Sequence, residues 1–283
     1  MTEKYYGWGF PIDISTHGYQ IDNLIWVVHI FMAVLFVGWF GYLVYAIIRF
    51  RQRPGHERAH HDVWSAEHKK HFKLPTYAEV GIALFEVFLL CAFAFPIFSQ
   101  IKNKFPDSAD VLRLRVVAEQ FAWNIHYPGK DGVFGKTDPK LMGPTNPLGL
   151  DAADPAGRDD VTTINQLKIP VDTPIIVDLS SKDVIHSFAL LVMRVKQDVI
   201  PGHRIPVWFQ AKKTGNFEIA CAQLCGLGHY RMRGFFVVEA KDKFSAWIEG
   251  ESAKKIAATV PAAVGSVAPL PAQAITAAGA HHA

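Results

Sequence analysis

The stretch CAQLCGLGHYRM carries Cys221, Cys225, His229 and Met232 within twelve residues. The chain has only three cysteines, so two of them are concentrated here. A disulfide would leave the neighbouring histidine and methionine unexplained. Zinc fits poorly, because a thioether is a poor zinc ligand and the paired Cys and His spacings of structural zinc sites are absent. Thiolates together with an imidazole and a weak methionine ligand indicate copper.

The second cysteine bears on the number of metal ions. One cysteine, two histidines and a methionine are enough for a single copper, whereas two thiolates can bridge two coppers. Each copper of a pair then needs its own imidazole. The candidate for the second imidazole is His186 in SKDVIHSFALLV, at the end of a predicted strand. His126 and His203 are possible by residue type, but neither lies in a segment so clearly bounded by a strand and a turn.

Two apolar stretches precede this cluster and predict a transmembrane helix hairpin over residues 24–98. Residues 24–48 contain no formal charge and exceed the length that crosses a hydrocarbon core of ~30 Å. Residues 77–98 are also long enough, but they carry Glu79 and Glu86. The N-terminal segment, residues 1–23, lacks the ordered regions of a cleaved secretory signal. The first span is therefore expected to remain in the protein.

Charge predicts the orientation of the hairpin. The loop over residues 49–76 is rich in arginine and lysine, whereas only Lys4 precedes the first span. The positive-inside rule therefore places the loop in the cytoplasm, and both termini and the large domain outside a bacterial-type inner membrane. The chain has 29 basic and 26 acidic residues, and neither sign forms a long stripe, which excludes nucleic acid as a partner.

The two glutamates of the second span lie on roughly the same helix face. Glu79 is expected at the cytoplasmic end, and Glu86 two turns deeper. A carboxylate within an apolar span usually faces a protein partner or a proton path. Both residues are candidates for a proton path, and a larger membrane subunit is the simplest partner that would cover them.

Residues 105–250 read as short alternating runs of Val, Ile and Phe, separated by turn residues. This pattern predicts an all-β sandwich or barrel of about 140 residues. A turn-rich insertion covers residues 129–160, and its function is not apparent from the sequence. Residues 251–283 form an Ala- and Pro-rich tail whose end is expected to be disordered. The predicted fold class is therefore membrane-anchored α plus all-β.

Three motifs, DVIHSF, VKQDVIPGH and CAQLCGLGHYRM, together resemble the copper-A domain of cytochrome c oxidase subunit II. The resemblance covers the helix hairpin and the β domain, and it implies a cupredoxin-like Greek-key β-barrel. It also implies two copper ions bridged by the two cysteines. The remaining implied ligands are His186 and His229 as terminal imidazoles, Met232 as a weak axial ligand, and the backbone carbonyl of Gln223.

In this family the copper-A subunit accepts electrons from cytochrome c. It passes them to haem in catalytic subunit I, where oxygen is reduced to water and protons are translocated. The resemblance therefore implies subunit I, subunit III, a cytochrome c donor and membrane lipid as partners. Glu79 matches a glutamate at the mouth of a proton channel of the catalytic subunit. No Cys-x-x-Cys-His motif occurs, so the chain is expected to carry no haem of its own.

The sequence departs from the family pattern in three places. Gln223 replaces a glutamate that helps to bind magnesium at the interface, and a neutral amide is a weaker ligand for that hard cation. Phe121 replaces a tryptophan implicated in receiving electrons, while Trp123 is kept, so the electron donor can differ. The Trp-Thr-x-x-Pro pattern is missing around Glu86. Cys91, the third cysteine, is expected to be an inert thiol.

Other functional classes remain open from the sequence. A membrane-anchored copper carrier would favour exposed, mobile ligands, which an embedded cluster does not offer. A quinol-oxidase subunit that has lost copper is disfavoured, because all five side-chain ligands are present. A nitric-oxide reductase with a copper-A subunit would differ only in the haem pocket of the partner.

Overall fold

The computed structural model describes residues 9–55 and 73–259. Apolar helices are followed by a domain of two β-sheets and a further helix. This architecture confirms the predicted fold class of a membrane-anchored helical part and an all-β domain. Most of the expected cytoplasmic loop, residues 56–72, lies outside the described residues, as do residues 1–8 and 260–283.

The two apolar segments are longer than the sequence predicted. Helix α1 spans Gly18–Phe50, and its 33 residues extend about 50 Å at 1.5 Å per residue. The second segment consists of α2 (Lys73–Leu89), a π-helical turn (Leu90–Ala94) and α3 (Phe95–Asn103). Both segments are long and apolar enough to cross a membrane.

The π-helical turn has a local cause in the sequence. Pro96 lacks a backbone N–H, and its ring would clash with the carbonyl of Ala92 in a regular α-helix. In the π-helical turn just before this proline, the backbone hydrogen bonds span five residues in place of four. The wider turn relieves the clash without ending the helix. The second segment therefore continues as one span.

The β domain consists of two five-stranded sheets. The first sheet has the order β3-β2-β1-β5-β8, and the second has the order β4-β10-β9-β6-β7. Pairing is antiparallel except between β1 and β5 and between β4 and β10. The strands of the first sheet are β1 (Leu112–Glu119), β2 (Ala122–Tyr127), β3 (Val161–Ile164), β5 (Pro174–Ser181) and β8 (Ile205–Gln210). Those of the second are β4 (Gln166–Pro170), β6 (His186–Leu190), β7 (Val195–Val199), β9 (Gly215–Cys221) and β10 (Arg233–Glu239).

The core lies between the two sheets. In β1 the alternating residues Leu114, Val116 and Ala118 are buried, as expected for a strand with one face on a core. The largest side chains enclosed there are those of Trp123, Tyr127, Phe188, Phe209 and Phe236. Strands β6 and β9 pack on this core, and they carry the candidate ligands His186 and Cys221.

A helix follows the last strand, and it crosses the domain boundary that the sequence suggested at residue 250. Helix α4 spans Lys241–Thr259 and packs the buried Phe244 near Tyr127 and Trp247. Its second half is also anchored, because the hydroxyl of Ser252 donates to the carbonyl of Asp159 at 2.7 Å. The first residues of the predicted tail therefore belong to the folded domain.

The turn-rich insertion lies over the first sheet and is held by many local hydrogen bonds. Its aspartates accept backbone N–H groups, as in the 2.7 Å bond from Lys136 to Asp154 and the 2.6 Å bond from Lys130 to Asp159. A buried pair joins His126 of β2 to Asp160 at 2.6 Å. These local bonds replace strand pairing, and they give the insertion a defined shape.

The helices are fastened to the β domain at one end. The guanidinium of Arg194 donates to both carboxylate oxygens of Asp22, at 2.6 and 2.8 Å. The amine of Lys102 donates to the side-chain oxygen of Gln197 at 2.5 Å. Asp22 lies near the start of the first span and Lys102 near the end of the second, so the two spans run antiparallel.

Candidate metal centre

The loop between β9 and β10 holds most of the candidate ligands. Strand β9 ends at Cys221, and the backbone N–H of this residue donates to the carbonyl of Met232 at 3.1 Å. Within the loop, a 3-10 turn covers His229–Arg231. The antiparallel pairing of the two strands thus brings the two ends of the motif side by side.

His186 reaches the same place from a neighbouring strand. It is the first residue of β6, whereas the sequence suggested the end of a strand. Strand β6 pairs with β9 so that Phe188 lies opposite Cys221, and Ala222 N–H donates to Ser187 at 3.0 Å. This register places the histidine beside the first cysteine.

The sulfur atoms of the two cysteines lie 3.8 Å apart, and each has its own nitrogen donor and its own weak donor. Nδ1 of His186 lies 4.0 Å from the sulfur of Cys221, and the carbonyl oxygen of Gln223 lies 3.2 Å from it. Nδ1 of His229 and the thioether of Met232 each lie 3.7 Å from the sulfur of Cys225. The structure therefore brings together all six predicted ligands around the two sulfurs.

The electrostatics of the thiols favour a bound cation. Burial, and then the nearby Cys221, raise the pKa of Cys225 to about 11. The thiolate of Cys225 is therefore disfavoured near neutral pH unless a positive charge lies beside it. A metal ion supplies this charge and displaces the thiol protons. Two soft sulfurs, two imidazoles and a thioether form a donor set that suits copper.

Asp183 fixes the orientation of His186. The Nε2–H of the imidazole donates to the carboxylate at 2.8 Å, which leaves the lone pair on Nδ1 directed towards the cysteine. Burial alone would raise the pKa of Asp183, but hydrogen bonds from His186 and from the backbone of Gln120 and Val184 outweigh it. The pKa of this carboxyl therefore lies below its ordinary value. It remains a carboxylate that can hold the imidazole.

Phe121 lies directly against the metal-binding loop. Its ring covers Gly228 so closely that a Cβ atom at that glycine would clash with it. The neighbouring Gln120 donates its side-chain amide to the carbonyl of Cys225 at 2.6 Å. The turn between β1 and β2 thus holds the loop from outside, and Phe121 itself is partly exposed.

Trp123 lies beneath the site and has no exposed surface. Its ring centroid is 6.2 Å from that of His186 and 5.5 Å from that of Phe188. The structure therefore places the two aromatic residues that the sequence linked to electron transfer at different depths below the protein surface. Phe121 borders the loop at the surface, whereas Trp123 contacts the histidine from the core.

Glu79 and Glu86 are remote from this cluster, on the exposed surface of α2. The adjacent Phe85 packs against Phe31 of α1 with ring centroids 4.8 Å apart. The two glutamates stand beside this seam between the helices. They are seven residues apart, so they lie on one stripe of α2.

The sequence did not single out Asp183 and Gln120. A signal for Asp183 was available, because it precedes His186 by three residues in DVIHSF and could fold back onto it. Gln120 gave no comparable signal. Its contact with Cys225 joins residues 105 positions apart and depends on how the sheets pack.

The outer rim of the metal-binding loop is apolar and exposed. Leu224, Leu227 and Tyr230 are 77, 94 and 82% exposed. Large apolar side chains grouped around a site are typical of a surface that another protein covers. The metal centre therefore lies just below a surface suited to protein contact.

Comparisons with known proteins show which family the chain is similar to. Residues 112–240 match the family described as "Cytochrome C oxidase subunit II, periplasmic domain". The chain is 32% identical over 243 residues to the alternative cytochrome c oxidase subunit 2 of Bradyrhizobium diazoefficiens, covering 86% of this chain and 83% of that protein. It is 26% identical over 259 residues to cytochrome c oxidase subunit 2 of Cereibacter sphaeroides, covering 86% and 80%.

Among solved structures, the chain is similar to the periplasmic domain of subunit II of the cytochrome oxidase of Bradyrhizobium japonicum. The identity is 30%, and the match covers 53% of this chain and 99% of that one, with a TM-score of 0.39.

Proposed function

The chain belongs to the cytochrome c oxidase subunit II family, and from this premise we propose that it carries the copper-A centre of a haem-copper oxidase. In this role it receives electrons from a cytochrome c and delivers them to haem in the catalytic subunit. Oxygen is reduced to water in that subunit, coupled to proton translocation. The observation that carries the proposal is the pair of sulfurs 3.8 Å apart, each with its own imidazole and weak donor.

Six residues would hold two copper ions. These are Cys221 and Cys225 as bridging thiolates, His186 and His229 as imidazole ligands, Met232 through its thioether and Gln223 through its carbonyl. A copper pair bound there would supply rapid one-electron oxidation and reduction with little change in geometry.

The surrounding residues hold several of the candidate ligands in position and shield them from solvent. Asp183 maintains the tautomer of His186, and Trp123, which itself packs on Phe188, lies against the imidazole. The thioether of Met232 is enclosed, with 2% of the residue exposed. Rigid ligands reduce the rearrangement that accompanies electron transfer, and the hydrophobic shell influences the potential.

The burial of the ligands argues against a copper carrier. His186 is fully buried and Cys225 is 4% exposed, so transfer of a metal ion to another protein would require the loop to open. A carrier needs accessible ligands that can be exchanged. The same centre could serve a nitric-oxide reductase, and the catalytic partner would decide between the two reactions.

The apolar rim around Leu224, Leu227 and Tyr230 is suited to contact with the catalytic subunit. We assign subunit III, a cytochrome c donor and membrane lipid as the other partners. The helices α1 and α2 face lipid or the membrane subunits, with the β domain outside the membrane. In this arrangement Phe121 borders the surface where electrons arrive, and Trp123 lies between that surface and the core.

Glu79 and Glu86 are proposed to face the catalytic subunit and its proton path. Their exposure on one stripe of α2 supports this, because an intramembrane carboxylate normally meets a polar partner. Replacement of Glu86 by Gln in the assembled oxidase should slow proton uptake while leaving the copper signal unchanged. Equal proton uptake in the variant and the wild type would remove Glu86 from the path.

An interface magnesium ion is not included in this proposal. The side chain of Gln223 is exposed at the loop surface, and its neutral amide is a weak ligand for magnesium. The contribution of this residue to the copper site is through its backbone carbonyl.

The proposal is tested by loading the purified full-length chain with copper. Metal analysis and electron paramagnetic resonance should give two coppers that share one unpaired electron. A His203→Asn variant is a matched control, because this exposed histidine lies outside the cluster. One localised copper would contradict the proposal, and so would a Cys221–Cys225 disulfide without metal.

A further inference from the structure

A cavity of about 310 Å³ separates the outer face of the first sheet from the insertion. Its floor includes Arg115 of β1 and Asp178 of β5, and Arg204 lies at its edge. Thr137 and Met142 of the insertion line the opposite side. The volume is at the lower end of the range for small-molecule sites. The insertion thus encloses a space for which the oxidase function has no use.

Two of the titratable groups that line the cavity have close partners. Lys182 contacts Glu119 at 2.6 Å, and His126 contacts Asp160 at the same distance. Two guanidiniums and one carboxylate remain, those of Arg115, Arg204 and Asp178. The lining groups without an ion pair are therefore mainly guanidiniums, which donate hydrogen bonds and accept none.

The two arginines lack polar partners in the part of the chain that the structure describes. Arg115 is stacked over the ring of Phe134 at 4.0 Å, and its buried Nε atom has no hydrogen-bond acceptor. No hydrogen bond or ion pair joins either guanidinium to Asp178 among the described residues, although Arg115 and Asp178 are neighbours in the strand register. Buried polar groups normally have a hydrogen-bond partner, so the Nε–H of Arg115 lacks an acceptor that a bound ligand could supply.

The two positive charges also oppose each other. Burial lowers the pKa of Arg115 and the charge of Arg204 lowers it further, and together they outweigh the opposing charges of Asp178 and Asp160. An anion between the two side chains would offset both effects, because it supplies acceptors and opposite charge at once. Guanidinium groups bind carboxylate and phosphate through paired hydrogen bonds, which suits these arginines to an oxyanion.

We propose that this cavity binds a small oxyanion of the phosphate or carboxylate class between Arg115 and Arg204. Asp178 limits the affinity, because its carboxylate repels the anion. The hydroxyls of Thr137 and Ser180 line the cavity and are available as neutral donors. The insertion then acts as the cover of a binding site, separate from the metal centre.

The test uses the full-length chain in detergent and inorganic phosphate as the probe. Calorimetric titration with phosphate at constant ionic strength should show saturable binding. A reference titration with chloride should not, because chloride has no pair of oxygen acceptors for a guanidinium. Arg204→Gln should weaken binding roughly tenfold or more, since a charged hydrogen bond is lost. Asp178→Asn should tighten binding several-fold by removing the repulsion. A parallel titration with citrate distinguishes a carboxylate from a phosphate ligand.

Arg233→Gln is the matched control, because this exposed arginine pairs with Glu218 on the other sheet. It should bind phosphate as the wild type does. Arg204 is itself exposed, so its replacement should not impair folding, which circular dichroism would verify. The absence of saturable binding of either anion would overturn the proposal. Equal losses in Arg204→Gln and Arg233→Gln would do so too. Binding should be the same with and without copper, so failure here would not affect the proposed oxidase function.

Discussion

Asp183 accepts the Nε2–H of His186 at 2.8 Å, while Nδ1 of the same ring faces Cys221 at 4.0 Å. One carboxylate thus determines which nitrogen is free to bind a metal ion. The sequence contains both residues within DVIHSF, but only their side-chain contact gives the aspartate this role.

Asp183→Asn should therefore weaken copper binding about 10- to 100-fold, because an amide holds the histidine tautomer less firmly. Competition with a copper chelator would measure the change. Asp198→Asn is the control, since Asp198 is exposed on β7. Equal affinity of the two variants would show that Asp183 does not position the ligand.

His186→Asn should abolish or remodel the two-copper spectrum, because one terminal imidazole is lost. His126→Asn leaves all six ligands in place, since His126 is buried in a pair with Asp160. Absorption and electron paramagnetic resonance spectra of both copper-loaded variants are the measurement. An unchanged spectrum for His186→Asn would exclude this histidine from the site.

Gln223→Glu should leave the copper spectrum largely intact, because only the backbone carbonyl of this residue approaches Cys221. The new carboxylate should increase magnesium or manganese occupancy in the assembled complex. Metal analysis of the purified complex measures this. If the magnesium or manganese occupancy stays at the wild-type level, the missing carboxylate alone does not explain weak metal binding at the interface.

Phe244→Ala should destabilise the β domain by about 3 kcal/mol, because a buried aromatic ring is lost. The ring packs near Tyr127 and Trp247, so its loss should also loosen α4. Urea unfolding followed by tryptophan fluorescence would give the free energy. Lys243→Ala, at an exposed position of the same helix, should remain within about 0.5 kcal/mol of the wild type.

His17 should make the stability of the protein depend on pH. Burial lowers its pKa, and the opposing charges of Asp13 and Lys212 contribute less. The neutral ring is favoured in the folded state, so its contribution is present above the unfolded pKa of about 6.5 and is lost as pH falls below it.

The slope from this group is at most about 1.4 kcal/mol per pH unit. The difference in unfolding free energy between the wild type and His17→Phe, measured from pH 7 to 5, isolates the effect. A difference that stays constant over this range would show that His17 does not titrate on unfolding.

The candidate metal ligands could be proposed from the sequence because most of them are concentrated, with a distinctive spacing, in one loop. Cys221, Cys225, His229 and Met232 are local in sequence, and only His186 had to be brought from elsewhere. The spans were predictable from hydrophobicity, although their ends were not. Residues at those ends are polar and gain their helical structure from contacts such as that of Asp22 with Arg194.

Other features depend on packing that a local pattern does not contain. Strand β2 follows β1 after the two-residue turn of Gln120 and Phe121, and no glycine or proline marks this turn in the sequence. Helix α4 is anchored by Phe244 and Trp247, although its composition resembles that of the tail. The burial of Trp123 follows from the facing sheet.

The ion pair of Arg194 with Asp22 has a consequence for the electron transfer that we propose. Arg194 follows the end of β6, the strand whose first residue is His186, so one short segment connects the membrane anchor to a metal ligand. The rate of electron tunnelling falls steeply with the distance between donor and acceptor. Rocking of the β domain on its helices would vary that distance and so spread the rates over a wide range. The ion pair should thus narrow the distribution of tunnelling distances at the proposed copper centre, which lies at the far end of β6, a strand whose five residues extend about 16 Å.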